Sequence, residues 1–377
     1  MKIKNIIITT AFLVLLTGLP LISVIQKDAE ISVSERRPLT QLSGYTELKE
    51  KAEANGEEYR LANYFSYLEK YLLDQFPARD FFRSIKAVTN KYLYQQKDAG
   101  GYFFADGTLS KLDTELSEKA VNDAIKRFNS ILETCFNRGK PNVYFALVPD
   151  KNYYIADANG YLHYDYDAMM SMLQNGLSER FQWIDIMDQL DIGDYYVTDP
   201  HWAQENVIGV ADHLLSSMGA EKLASDYEYS KVSLNGFMGT YYGQAALPVA
   251  KDTLTYLTND ILENVTVTDL EKNEVIKVHE EAYFTNVDPY DVFLGGAKAL
   301  LKIENPNAAT NKQLVVFRDS FGSSMVPLLI AEYAEIIVVD IRYVAPSVLP
   351  KLVRFKGNCD VLFLYSTSVL NSYGVFR

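Results

Sequence analysis

Leu314-Val315-Val316-Phe317-Arg318-Asp319-Ser320-Phe321-Gly322 is the stretch on which the reading of this chain turns. Four consecutive apolar residues, two of them β-branched, suit a strand buried on both faces of a sheet. The polar turn Arg318-Asp319-Ser320 ends the run, and residues 320–333 then read as a helix. The same alternation continues downstream, with strands at residues 336–340 and 361–365 and a helix at 346–355 between them. It is also present upstream. An amphipathic helix at 115–137 is closed by Gly139 and Pro141. Strands at 143–148 and 181–186 follow, with helices at 166–177 and 202–218. Strands of continuous apolar character alternating with helices predict a mainly parallel sheet covered on both sides, an α/β three-layer sandwich over residues 111–377.

Residues 220–311 have a different texture. Val265-Thr266-Val267-Thr268 and Val275-Ile276-Lys277-Val278 flank a polar turn and predict a hairpin, so this region reads as a β-rich insertion between the two halves of the sheet. Before the sandwich, residues 27–110 read as a stalk and a helical accessory region. Leu61, Tyr64, Phe65, Leu68, Tyr71 and Leu72 recur at helical steps, and after Asp74-Gln75-Phe76-Pro77 the pattern resumes at Phe81, Ile85, Val88 and Tyr92. A hairpin is expected at 100–107, with Asp106-Gly107 as its turn. Residues 1–26 carry Lys2 and Lys4, then an uncharged run from Ile6 to Ile25 that is long enough to cross a bilayer as a helix. No small-x-small cleavage site closes the run. An uncleaved single-pass anchor is therefore expected, with the positive end in the cytoplasm and the rest of the chain extracytoplasmic.

In open parallel sheets, ligands bind beyond the carboxyl ends of strands. Ser320 falls at such a place, and so does Thr198-Asp199-Pro200-His201-Trp202, which leads out of the strand at 181–186. A carboxylate that orients an imidazole makes it a general base, and a serine hydroxyl needs such a base to act as a nucleophile. Asp199, His201 and Ser320 are the candidate catalytic residues. The backbone N–H groups of Ser320, Phe321 and Gly322 are the candidate oxyanion hole. Lys151, Arg342 and Trp202 are candidate substrate-lining residues. Each motif has a rival reading as a helix cap: Asp199-Pro200 as N-cap and first turn, and Ser320 as N-cap of its own helix. There is no G-x-S-x-G, which disfavours an ordinary α/β-hydrolase.

Composition narrows the field. The chain has 377 residues, with 36 basic and 49 acidic side chains and a net charge of −13, which argues against nucleic-acid binding. Its 2 cysteines and 4 histidines show no metal-ligand spacing, so neither a metal nor a cofactor is expected.

The order of these motifs resembles that of the DHHW family of bacterial envelope proteins, relatives of the periplasmic alginate O-acetylation proteins and, more broadly, of SGNH hydrolases. The resemblance is carried by Glu35-Arg36-Arg37-Pro38-Leu39, Asp74-Gln75-Phe76-Pro77-Ala78-Arg79-Asp80, Val148-Pro149-Asp150-Lys151 and Thr198-Asp199-Pro200-His201-Trp202. Further on come Phe293-Leu294-Gly295-Gly296, Arg318-Asp319-Ser320-Phe321 and Asp340-Ile341-Arg342-Tyr343. Pro200 stands where the family's naming motif has a second His. The resemblance implies an SGNH-like domain with Asp199, His201 and Ser320 as its triad. It implies O-acyl chemistry, acetyl above all, between an acyl donor and a cell-surface polysaccharide, by transfer or by esterase action, and a membrane-bound O-acyltransferase as partner. The rival from another class is a non-catalytic glycan-binding or scaffolding envelope protein on the same fold.

Overall fold

Val143, Phe145 and Leu147 point to one side of their strand and Tyr144, Ala146 and Val148 to the other, and all six are buried. The same two-sided burial recurs along residues 314–317 and 361–365, as expected of strands at the centre of a sandwich. In the computed structural model, which describes residues 2–137 and 139–376, these strands lie in one eight-stranded sheet.

The chain divides into two units. One runs to Gly100 and takes in Tyr242–Pro248; the other holds Gly101–Tyr241 and the chain from Val249 onward. In the first unit, helix α1 (Lys2–Ile25) is followed by the two-residue strands β1 (Ile31–Ser32) and β2 (Arg37–Pro38). Helices α2 (Tyr45–Ala54), α3 (Leu61–Asp74) and α4 (Arg79–Val88) come next. The segment Ile3–Ser23 is long and apolar enough to span a bilayer, a makeup it shares with signal sequences. Two of the motifs noted above meet in this unit. Arg37 grips Asp74 through both Nη atoms at 3.0 and 2.5 Å, and Arg79 and Arg83 both pair with Glu35.

The second unit opens with the hairpin β3 (Tyr102–Ala105) and β4 (Thr108–Lys111). Its turn residues Asp106 and Gly107 have φ of 48° and 79°, as a two-residue type I′ turn demands. Because this hairpin lies with the sandwich, the unit begins at Gly101 rather than at Lys111. Then come α5 (Glu118–Cys135), β5 (Asn142–Val148), the short α6 (Lys151–Ile155), α7 (Tyr166–Gly176), β6 (Phe181–Ile184) and α8 (Ile208–Ser217). The insertion supplies β7 (Ser230–Phe237), β8 (Asp252–Thr258), β9 (Thr266–Asp269), β10 (Glu274–Ile276) and β11 (Leu300–Glu304). β12 (Gln313–Arg318), α9 (Phe321–Leu329), β13 (Glu335–Val339) and β14 (Asp360–Ser366) complete the sheet and its cover.

Strand order is β10-β9-β11-β13-β12-β14-β5-β6. The five strands from β13 to β6 are parallel, and β11, β9 and β10 add on antiparallel at the β13 edge. The insertion is thus partly an extension of the main sheet. Its other part, the β7–β8 hairpin, stands apart with its own apolar cluster around Phe237, Leu254 and Phe293. Val121, Phe128, Met169 and Leu173 of α5 and α7 cover one face of the sheet. Val210, Leu214, Met325 and Leu329 of α8 and α9 cover the other.

Two expected helices fall furthest short of their patterns. The helix read over 202–218 begins only at Ile208, because the preceding backbone is committed elsewhere: Tyr195 bridges Trp202, and the Tyr196 N–H donates to the His201 carbonyl at 3.1 Å. The helix read over 346–355 is a 3-10 turn, Pro346–Val348, and a single α-turn, Leu349–Leu352. Pro346 and Pro350 each lack an N–H donor for a longer ladder.

Candidate active site

β12 ends in Arg318-Asp319, and the chain turns into α9 at Ser320. Asp319 is fully buried and fixes this turn. One carboxylate oxygen accepts the Phe321 N–H at 3.0 Å; the other accepts the Ser366 N–H and hydroxyl, both at 2.7 Å. Asp319 thereby ties the Ser320 turn to the carboxyl end of the neighbouring strand β14. Arg318, also fully buried, donates to the Gly296 carbonyl at 3.1 Å and lies 3.7 Å from Asp340 at the end of β13.

Thr198 to His201 sit at the tip of a loop whose arms are the bridged residues Tyr195 and Trp202. The insertion clamps this tip from outside. Asp252, at the start of β8, accepts the N–H groups of Val197 and Thr198, each at 2.8 Å. The Gly239 N–H donates to Thr198 Oγ1 at 2.9 Å, and the Thr240 N–H donates to Asp199 Oδ2 at 2.8 Å. Gly239 is required by close approach: a Cβ there would lie 2.3 Å from the Thr198 carbonyl oxygen and 2.4 Å from Asp199 Cβ.

From inside, the buried Lys151 ammonium holds the same loop. It donates to the carbonyls of Tyr196 and Val197, and also to Thr108 Oγ1 and the Leu109 carbonyl. Burial pushes the Lys151 amine down to about 7, with Asp199 and Asp252 pulling the other way. Four oxygen acceptors around one nitrogen favour the charged form, which alone supplies three donors.

Within this frame Asp199 Oδ1 lies 2.5 Å from His201 Nδ1 and also accepts the His201 N–H at 3.2 Å. A carboxylate only accepts, so Nδ1 carries the proton, and the Nε2 lone pair faces Ser320 Oγ at 2.7 Å. Tyr290 stacks flat on the imidazole, with ring centroids 4.0 Å apart at 9°, and Phe321 leans on it at 4.8 Å. Ser324 joins the two halves of the site. Its hydroxyl oxygen accepts from Trp202 Nε1 and from the Tyr290 hydroxyl, both at 2.8 Å, while Gln204 donates to its carbonyl at 2.7 Å. The residues flanking His201 are thus bolted to the helix that Ser320 begins.

The three residues singled out for acid–base and nucleophilic work therefore form one hydrogen-bonded chain across 119 residues of sequence. The cap reading fails for Asp199 and holds for Ser320 in position only. Val207, not Asp199, occupies the cap position of α8, and Ser320 sits at the cap position of α9 without making a side-chain cap bond. The remaining candidates need correction. Trp202 is fully buried with its indole N–H spent on Ser324, so it faces no cleft. Lys151 is likewise buried and works behind the loop. Arg342 retains some exposure, but it spends Nε and Nη2 on Asp340 at 2.9 and 2.6 Å, bracing its own turn. Of the three backbone donors proposed for an oxyanion, two are occupied. The Phe321 N–H is held by the Asp319 carboxylate, and the Gly322 N–H by the Asp319 carbonyl at 3.1 Å. Among the described residues the Ser320 N–H is the one of the three that keeps no acceptor. Among the same residues no cluster of His, Cys, Asp and Glu suits a metal ion.

Sequence reasoning missed Asp252, Gly239, Thr240, Tyr290 and Ser324. All act through contacts distant in the chain; Tyr290 lies three residues before the Phe293-Leu294-Gly295-Gly296 motif and Ser324 three residues after Phe321, but neither motif indicates those contacts.

The family model described as DHHW protein matches residues 167–339, a span that contains Asp199, His201 and Ser320. The chain resembles that family. Among solved structures it is similar to a DHHW family protein from Eubacterium siraeum (22% identity, 73% of this chain and 92% of that one, TM-score 0.54). It is also similar to Bacillus cereus PatB1 (20% identity, 73% and 98%, TM-score 0.58) and to PatB1 with a sulfonyl adduct (20% identity, 73% and 97%, TM-score 0.55). At these identities the likeness establishes the fold, an SGNH-like α/β sandwich. No curated protein matches the sequence.

Proposed function

We propose that this protein is an extracytoplasmic enzyme, held to the membrane by α1, that moves an O-acyl group, acetyl above all, onto or off a cell-surface polysaccharide. The observation that carries the reading is the Asp199–His201–Ser320 chain, with Nε2 placed to take the Ser320 proton. In the first half-reaction Ser320 Oγ attacks the carbonyl carbon of an acyl donor while His201 Nε2 receives its proton. The negative charge that develops on the carbonyl oxygen meets the unpaired Ser320 N–H. Collapse expels the donor's leaving group, which takes the proton back from His201, and leaves an ester on Ser320. In the second half-reaction a glycan hydroxyl attacks that ester with His201 again as base, and Ser320 is restored. Water in place of the glycan makes the same site an esterase. Transfer is preferred on the family resemblance, which also supplies the acceptor class and a membrane-bound acyltransferase as source of the acyl group. Asp199 holds the imidazole and stabilises its charged form throughout.

The full chain treated with a serine-directed fluorophosphonate or sulfonyl fluoride should be labelled at Ser320. Ser320→Ala should lose the label, and His201→Ala should be labelled far more slowly. Absence of labelling from a folded wild-type chain would leave a scaffold on an SGNH-like frame as the better reading.

A further inference from the structure

Helices α3 and α4 carry the apolar pattern of a buried helical layer, yet leave much of it uncovered, with Tyr64, Leu68, Tyr71 and Val88 half-buried. Leu61, Phe65 and Leu72 lie along α3 at steps of four and seven, and Phe81 and Ile85 lie four apart on α4. With Leu93 beyond, they are 45–70% exposed. Exposed apolar stripes of this kind on a folded unit mark an interaction surface.

What it faces is indicated by where the unit is fastened. Gln75, the residue after α3, is buried and fully engaged with the chain just behind α1. Its carbonyl accepts from Gln26 Nε2 at 2.6 Å, its Oε1 accepts the Ala29 N–H at 2.9 Å, and its Nε2 donates to the Ala29 and Thr40 carbonyls at 2.9 Å. The α3–α4 junction is therefore pinned within hydrogen-bond reach of the last turn of α1. On the reading that α1 crosses the bilayer, Gln26 lies at its surface, so α3 ends and α4 starts near headgroup level.

Charge agrees with this placement. Residues 79–93 hold Arg79, Arg83, Lys86 and Lys91 against Asp80 alone. With Glu35 also counted against them the excess is two positive charges, in a chain whose net charge is −13. A helix with Phe, Ile and Tyr on one side and Arg and Lys on the other is the makeup of an element that lies in the membrane interface. We infer that α3 and α4 form an interfacial platform which beds into an anionic lipid surface beside α1. The anchor then becomes a broad footing rather than a flexible tether. This inference rests on the anchor reading of α1.

The test uses the full chain in nanodiscs of phosphatidylcholine and phosphatidylglycerol. Nitroxides are placed by Phe65→Cys, Phe81→Cys and Leu93→Cys, with Leu13→Cys in α1 and Val275→Cys on β10 as references. The wild-type chain, which has only Cys135 and Cys359, is carried through the labelling as the blank. Oxygen partitions into lipid, whereas a nickel chelate stays in water. The three platform sites should show oxygen access near that of Leu13 and nickel access several-fold below that of Val275. Nickel access equal to that of Val275 overturns the platform while a lipid-exposed Leu13 leaves the anchor standing. Shielding from both reagents also overturns it, in favour of a protein partner or a second copy. A water-exposed Leu13 overturns the anchor and the platform together.

Discussion

Asp199 has each carboxylate oxygen assigned: Oδ1 to His201 and Oδ2 to the Thr240 N–H. Asp199→Asn keeps the size and the loop but places an amide that can hold the imidazole with its proton on the wrong nitrogen. Turnover should fall on the order of 10³- to 10⁴-fold, while thermal stability changes by only about 1 kcal/mol. Near-normal turnover in this variant, measured with an aryl acetate, would contradict the role given to Asp199. His279 offers a prediction of another kind. Its ring stacks on Tyr256 at 4.5 Å, its Nε2 has neither partner nor accessible surface, and burial pushes its pKa down to about 3. The folded pKa lies below that of the unfolded chain, so the unfolded state takes up a proton first as pH falls. The stability this histidine allows at neutral pH is therefore lost progressively from about 6.5 toward 3. His279→Phe keeps the stack and removes the titration. Its melting temperature should exceed that of wild type by a margin that widens with acidity, and a constant margin across that window would contradict the assignment.

The elements that build the site differ in how far they could be read from the chain. β5, β12, β13 and β14 were legible because strands buried on both faces are written as continuous apolar runs, and the half-exposed edge strand β6 by its aromatic and β-branched residues. Once they were placed in one sheet, Ser320 and the Asp199–His201 pair had to lie at the same edge. The clamps around them were not legible. Asp252 and Gly239 have no local pattern, and they matter only because the insertion folds back over the Thr198 loop. Phe321 and Gly322 looked like free oxyanion donors because nothing in the sequence indicates that Asp319 turns its side chain onto the following N–H. Trp202 and Lys151 carry groups suited to a cleft, yet the β3–β4 hairpin and α9 bury them. In the accessory helices the difference ran the other way: of the apolar pattern, Leu61, Phe65, Leu72, Phe81, Ile85 and Tyr92 are exposed. The insertion's part can be measured. Gly239→Ala forces a methyl against the Thr198 carbonyl and should displace the Asp199 loop. Misplacement of about 1 Å costs roughly 10²-fold in rate, so kcat should drop by about that factor with KM little changed and the far-UV spectrum intact. Unchanged kcat would show that the hairpin does not position the site.

For the molecule as a whole, the order of parts follows from the chemistry proposed for it. A helix long and apolar enough to span a bilayer is followed by segments hydrogen-bonded to the residues just after it, and the chain leads on into a sandwich whose carboxyl edge presents a serine. The long reach between His201 and Ser320 is bridged by the sheet itself, since both flank the same parallel core, and by the Trp202, Gln204 and Tyr290 contacts to Ser324. A net charge of −13 is no bar to a neutral or cationic glycan and argues against nucleic acid. The proposed chemistry depends on Ser320 carrying an acyl group in turnover. The full-length protein, mixed with an aryl acetate, quenched in acid within the first turnovers and digested for peptide mass analysis, tests that directly. One acetyl group should be found on Ser320 in the wild type, much less in His201→Ala and none in Ser320→Ala, and an added acceptor polysaccharide should shorten its lifetime. An unmodified Ser320, or an acetyl adduct elsewhere that persists in Ser320→Ala, would contradict the account.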